Sequence, residues 1–293
     1  MLDVVIIGSG PAGITAAIYA KRANLNVAVV EKEYLGTGQI AESSRVDNYP
    51  GIPGIDGYSL GEKFREHAES LGVEFTEAQV LSLGQKDGIW IIGCDEDITL
   101  ESKAVIYATG CKNRPLGVPG EEKYYGRGLS FCAVCDGAFY KGKRVAVIGG
   151  GDTALDDAMY LSDICEKVYL VHRREFFRGS ASTLEKLKQK ENVEIIVNVR
   201  VEEITGDKKI DGIILDNKTK LNISGLFAAV GMIPQTELLK EFGVLDESNY
   251  VKASEDTKTT VNGLFAAGDV RTKQLRQVVT AAADGANAIY SVM

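Results

Sequence analysis

The chain has 293 residues, 45% hydrophobic and 25% charged, with a net charge of −8. That length allows two domains of ordinary size, each with its own core. No basic block is present to neutralise nucleic-acid phosphates, and no apolar run approaches the roughly 18 residues of a membrane span.

The N-terminus enters a strand directly, with no cationic leader or small-residue cleavage site. Export is therefore not expected, and a cytoplasmic setting is. Asp3 to Ile7 is a continuous apolar run, the mark of a parallel strand buried on both faces. Gly8-Ser9-Gly10-Pro11-Ala12-Gly13 follows, then a helical pattern through Tyr19, then a second strand, Val27 to Val30, ending at Glu31. This is G-x-G-x-x-G in its strand–turn–helix setting. The first glycine allows the tight turn, the second admits a pyrophosphate to the backbone, and the third lets the helix pack on the strand. Unpaired N–H groups of the helix then face the phosphates. Glu31 can accept from a ribose hydroxyl, so the unit suits an unphosphorylated ribose, as in FAD.

Gly36-Thr37-Gly38-Gln39 and Asn48-Tyr49-Pro50-Gly51 read as loops. Leu60, Phe64, His67, Ala68 and Leu71 follow helical spacing, and His67 there reads as an ordinary surface or satisfied histidine. Strands are expected over 73–80, 88–92 and 103–107, the last running into Ala108-Thr109-Gly110. Arg114 to Gly120, with Pro115 and Pro119, reads as a hinge.

Cys132-Ala133-Val134-Cys135-Asp136-Gly137 places two cysteines at C-x-x-C spacing, followed at once by an acid. By itself the pair could be half a zinc site, two unrelated thiols or a redox couple. Structural zinc usually takes four Cys/His ligands. Cys94, Cys111 and Cys165 are scattered without such spacing, so no metal is expected. In a reducing compartment a working redox pair is the commoner use.

The first pattern then returns without a gap. Val145-Ala146-Val147-Ile148 leads into Gly149-Gly150-Gly151-Asp152-Thr153-Ala154, with Gly149, Gly151 and Ala154 on the positions of Gly8, Gly10 and Gly13. Where the first copy has Glu31, the second has His172, then Arg173, Arg174 and Arg178. Guanidinium groups pair bidentately with a 2′-phosphate that an acid would repel, so this unit suits NADPH. Further strands are expected near 193–204, 210–216 and 225–230. A second crossing near 235–250 leads to a buried strand ending in Ala266-Ala267-Gly268-Asp269, and 276–291 reads as a small-residue helix.

These motifs occur together in one family. The chain resembles the low-molecular-weight, bacterial-type thioredoxin reductases over essentially its full length, through Gly-Ser-Gly-Pro-Ala-Gly, Ala-Thr-Gly at 108–110, Cys-Ala-Val-Cys-Asp-Gly, Gly-Gly-Gly-Asp-Thr-Ala, His-Arg-Arg-x-x-x-Arg and Ala-Gly-Asp. The resemblance implies an α/β fold of two Rossmann-like, three-layer ββα domains. A discontinuous FAD domain, 1–113 and 244–293, would hold an inserted NADPH domain, 114–243. It also implies a homodimer and thioredoxin, or a thioredoxin-like protein, as partner.

On that resemblance Gly8, Ser9, Gly10, Pro11, Ala12 and Gly13, with Glu31 and Lys32, hold the adenosine diphosphate half of FAD. Gly38, Gln39 and Asn48 approach the flavin and its ribityl chain, Val80 meets the adenine through its backbone, and Thr109 and Gly110 belong to the same site. Gly268 and Asp269 serve the ribityl or pyrophosphate region, and Arg276, Gln277 and Val278 the isoalloxazine neighbourhood. Gly149, Gly151, Asp152, Thr153, Ala154, His172, Arg173, Arg174 and Arg178 hold NADPH. Cys135 faces the flavin, Cys132 faces the protein substrate, and Asp136 moves the proton, for which burial must raise its pKa. Because disulfide and nicotinamide site share one domain and the flavin lies in the other, a rotation about crossings near 113–119 and 242–249 is expected.

Three departures accompany the likeness. Val134 stands where the best-known members have threonine, Ala138 replaces one of two docking aromatics, and Met232 replaces the histidine of a Gly-His-x-Pro turn. Ala138 keeps open a peroxidase-linked or glutaredoxin-like partner, which a partner panel would separate. A dithiol oxidase would lack the arginine cluster, and a flavin-bound redox sensor would show no NADPH turnover.

Overall fold

A computed structural model describes residues 1–33, 37–43 and 45–293; Gly36, in the first of the loop-like runs, lies outside them. In chain order the structure begins β1 (Leu2–Ile7), α1 (Pro11–Arg22), β2 (Val27–Glu31), α2 (Gly57–Ser70) and β3 (Glu74–Glu77). There follow β4 (Val80–Lys86), β5 (Ile89–Cys94), β6 (Thr99–Tyr107) and β7 (Cys111–Asn113). Then come β8 (Leu129–Ser130), α3 (Ala133–Asp136), β9 (Arg144–Ile148), α4 (Asp152–Ser162), β10 (Lys167–His172) and α5 (Ala181–Lys188). The strands β11 (Val193–Val197), β12 (Val201–Thr205), β13 (Gly212–Leu215), β14 (Lys220–Asn222), β15 (Gly225–Ala228) and β16 (Met232–Pro234) precede β17 (Leu264–Ala266) and α6 (Val278–Val292).

The chain divides into two units, Met1–Lys112 with Ile233–Met293, and Asn113–Met232. In the first, β3-β2-β1-β6 run parallel, and β17 joins β6 over Val105–Tyr107. The other end of β6, Thr99–Ser102, pairs antiparallel with β5 and through it with β4. One long strand thus joins the parallel and antiparallel parts of a single sheet. Alternation along β1 shows how the layers are filled. Val4 and Ile6 pack against helices α1 and α6, while Val5 and Ile7 pack on the Trp90 and Ile92 side. That is the two-sided burial expected of an apolar run.

The second unit repeats the plan. Its sheet is β11-β10-β9-β15-β8, all parallel, so β9 and β10 occupy the places of β1 and β2. Val145 and Val147 face α4, and Ala146 and Ile148 face the three-stranded sheet β12-β13-β14. The fold is the expected pair of Rossmann-like units with ββα layering.

Several boundaries differ, each for a stated reason. The strand expected over 73–80 is two strands: β3 pairs parallel with β2, and β4 starts afresh against β5. The strand expected over 193–204 breaks at Asn198, whose φ of 59° is left-handed and turns the chain between β11 and β12. The chain returns to the first unit at Ile233, earlier than 244, because Leu239 is buried in that unit's core and Leu238 and Phe242 pack against it. Residues 114–120, read as a hinge, belong to the second unit. The buried Glu121 carboxylate accepts from the N–H groups of Leu116 and Val118 at 3.1 and 3.0 Å, and Val118 packs in that unit's core.

Candidate active site

In the first unit the first and third glycines of the turn leave no room for a side chain. Gly8 has φ +103°, and a Cβ there would lie 2.6 Å from the Ala108 carbonyl oxygen. A Cβ on Gly13 would lie 1.9 Å from Gly8 O, so α1 rests directly on the turn. Gly10 caps α1 without a side-chain bond, and Pro11 at the first helical position has no N–H to satisfy. Ser9 is buried and donates to Glu31 Oε2 from both its N–H (2.7 Å) and its hydroxyl (2.5 Å), while the Lys32 N–H donates to Oε1 at 2.9 Å. These bonds orient the acid at the end of β2.

Other residues named for the flavin gather in the same unit. The Asn48 amide donates to Gln277 Oε1 at 2.8 Å, and Gln277 caps α6 through a capping box with Thr280, just ahead of Val278. Thr109 donates to the Gln235 carbonyl at 2.7 Å, and Gly110 follows at φ +66°. Arg276 donates to the Asp269 carbonyl at 3.3 Å and stacks over Tyr250, 4.2 Å from its centroid. The Asp269 Oδ1 is buried with no hydrogen-bond partner. Burial pushes its pKa up, although Lys273 and Arg276 draw it down. A buried, unpartnered carboxyl oxygen, and a turn whose middle glycine, Gly10, has no atom closer than 3.8 Å to where a Cβ would stand, fit a ligand bearing hydroxyls and pyrophosphate. Gly38 and Gln39 lie in a short 3-10 turn, and Val80 opens β4 opposite Cys94.

In the second unit the corresponding turn is equally tight. A Cβ on Gly149 would meet Ala229 O at 2.4 Å and Ala154 Cβ at 2.7 Å, and one on Gly150 would strike the His172 ring at 2.2 Å. His172 is buried, shares a hydrogen bond with the Phe176 carbonyl and packs on Phe177; burial holds its pKa down, as do the neighbouring arginines. It thus acts as a platform beneath the turn. The loop after it folds back, with the Arg178 N–H donating to Gly150 O at 2.7 Å and the Ser180 N–H to Asp152 Oδ1 at 2.7 Å. Arg173, Arg174 and Arg178 remain exposed at the rim, as an anion-binding edge requires. Thr153 is exposed in the first turn of α4, with Ala154 buried beside it.

The cysteines of the same unit are joined: Cys132 and Cys135 form a disulfide with Cα atoms 5.3 Å apart. Cys132 caps α3, and the Cys135 N–H points at its sulfur at 3.2 Å. Asp136 is half-buried and accepts from the Ser130 hydroxyl at 2.6 Å. Burial raises its pKa, and the Ser130 bond opposes that by stabilising the carboxylate. Gly137 permits this packing, since a Cβ there would lie 2.7 Å from the Tyr160 ring. Val134 is 61% exposed and Phe139 42% exposed, so the loop carries an apolar surface.

Pattern reading missed Ser130, Tyr250, Gly150 as the contact of His172, and the buried ion cluster around Asp284. Only Gly150 had a local signal, as the middle residue of three glycines. The others meet their partners through the fold.

Comparison with known proteins agrees with this geometry. The sequence profile of the pyridine nucleotide-disulphide oxidoreductases matches residues 2–285. A Clostridium pasteurianum protein described as a 34.2 kDa protein in the rubredoxin operon is 40% identical over 292 residues, covering 97% of this chain and 94% of its own. Thioredoxin reductase of Bacillus subtilis is 39% identical over 298 residues, covering 99% and 93%. The crystal structure of thioredoxin reductase from Streptococcus pyogenes superposes with a TM-score of 0.93 at 40% identity, covering 100% of this chain and 97% of that one.

Proposed function

This chain belongs to the pyridine nucleotide-disulphide oxidoreductase family, and from that premise we propose that it is an NADPH- and FAD-dependent thioredoxin-disulfide reductase. The observation that carries the reading is the closed Cys132–Cys135 disulfide with a half-buried acid next to it. FAD, when bound, supplies two-electron transfer between NADPH and that disulfide. The first glycine turn, Glu31 and Asp269 hold it; the second turn with Arg173, Arg174 and Arg178 holds NADPH.

Opening the disulfide takes two electrons and two protons and leaves two thiols. Asp136 moves one of those protons, which its raised pKa suits. The Cys135 N–H favours the thiolate on Cys132, because a donor aimed at sulfur stabilises the charged form. Cys132 attacks the partner's disulfide, forming a mixed disulfide and releasing one partner thiolate. Cys135 then attacks Cys132 sulfur, restoring the pair and releasing the partner as a dithiol. Val134 and Phe139 give the partner an apolar seat.

The chain works as a homodimer in the cytoplasm on this reading; no helix among the described residues is long and apolar enough to cross a membrane. NADPH oxidation measured with and without a thioredoxin tests the proposal. Turnover that depends on thioredoxin is expected, whereas turnover only with a glutaredoxin-like or peroxidase-linked protein would reassign the partner. Cofactor preference is a second check. Arg173→Ala with Arg174→Ala should raise the NADPH KM roughly 10- to 150-fold, as loss of a charge-assisted contact worth about 1.5–3 kcal/mol. NADH should be little affected, and equal damage to both would remove these arginines from the 2′-phosphate.

A further inference from the structure

One buried carboxylate in the first unit has more partners than its place in a helix requires. Asp284, on α6, accepts from Arg271 Nε at 2.8 Å and Nη2 at 2.6 Å, from Lys273 Nζ at 2.9 Å, and from the Gly268 N–H at 2.9 Å. All three side chains are at most 9% exposed. Arg271 also donates to the carbonyls of Ala253 and Thr272. Stability alone does not call for such a group, since apolar packing of similar volume generally serves a core as well or better.

Its position is more informative. The Gly268 amide that Asp284 holds begins the turn carrying Asp269, whose Oδ1 is buried and unpartnered. A Cβ on Gly268 would lie 2.9 Å from Ala12 Cβ, and one on the next residue of α6, Gly285, 2.2 Å from Ala12 O. The cluster therefore stands directly behind both the Gly268-Asp269 turn and the first helical turn of α1. Two cations share one carboxylate, so the cluster carries a net positive charge; at Asp269 the pull of Lys273 outweighs the opposing effect of Asp284.

We propose that Asp284, with Arg271 and Lys273, is the positioning element of the flavin site, fixing the Gly268-Asp269 turn and placing a buried positive charge behind it. The proposal rests on the FAD reading given above. Without the cluster the turn would be free to shift, and Asp269 would lose the charge that holds it ready for a ligand hydroxyl.

The test is FAD titration of the flavin-free full-length chain, followed by quenching of flavin fluorescence, with the absorption spectrum of the bound flavin and the melting temperature of the flavin-free protein. Lys273→Met should weaken FAD binding roughly 10- to 100-fold and shift the bound-flavin spectrum, with the flavin-free melting temperature nearly unchanged. Lys273→Arg should restore most of the affinity. Asp284→Asn with Lys273→Met keeps the cluster's net charge but removes its carboxylate, and should bind FAD still more weakly. Lys273→Gln serves the comparison if the methionine chain does not fold. Folded variants with wild-type affinity and spectrum would reduce the cluster to a structural tie and overturn the proposal. Failure of the wild-type chain to bind FAD would instead overturn the flavin reading.

Discussion

Cys132→Ser and Cys135→Ser will each reduce NADPH-driven thioredoxin reduction to background, and the two proteins will fail in different ways. With Cys135 replaced, the Cys132 thiolate can still attack a partner, but no second thiol releases it. A covalent complex should accumulate, visible as a shifted band that collapses on adding dithiothreitol. With Cys132 replaced, no such complex forms. The remaining Cys135 thiolate should instead give a long-wavelength absorption band against oxidised flavin. The Cys135 N–H aimed at Cys132 sulfur favours attack by the first cysteine, and the flavin-facing role of Cys135 is the one the family resemblance implies. A trapped complex on Cys135 in the Cys132→Ser protein would reverse the assigned roles.

Asp136→Asn should slow turnover roughly 10²- to 10⁴-fold, the usual range for loss of a positioned general acid or base. The pH dependence carries the sign. Burial raises the pKa of Asp136, so its protonated form persists above the ordinary carboxylate range, and the rate limb due to this acid falls as pH rises through that raised value. Ser130→Ala removes the hydroxyl that stabilises the carboxylate, so the limb should move to higher pH. A limb moving lower in Ser130→Ala would exclude Asp136 as its origin. Stability should respond in the opposite sense to activity. A carboxyl with a raised folded pKa binds its proton more tightly when folded, so it weakens the fold as pH rises from the unfolded value through the folded one. Asn lacks that burden. Asp136→Asn should therefore melt higher than the wild type at neutral pH, relative to the comparison below pH ~3.9, while catalysing poorly.

The sequence by itself determined the two glycine turns, the repeat, the acid against the arginines and the C-x-x-C. Each is local: a strand, a turn and a helix follow one another within a few residues, so periodicity and spacing carry them. The apolar runs of β1 and β9 were legible because strands buried on both faces must be apolar throughout. Strands β4 and β14 were not, because one is largely exposed and the other very short, which leaves no alternation to read.

Only the tertiary structure decided the remainder. Ser130 meets Asp136 because a short strand and a short helix bring them together, and nothing in either residue's neighbours announces it. Glu121, which the pattern passes over, clamps the segment that proline content had marked as a hinge. Asp284 reaches Gly268, Arg271 and Lys273 across the close approach of α6 to α1, which Gly285 permits. Such groups are placed by how turns and short elements fold onto one another, and hydrogen bonds made there follow neither the helix period nor the strand period.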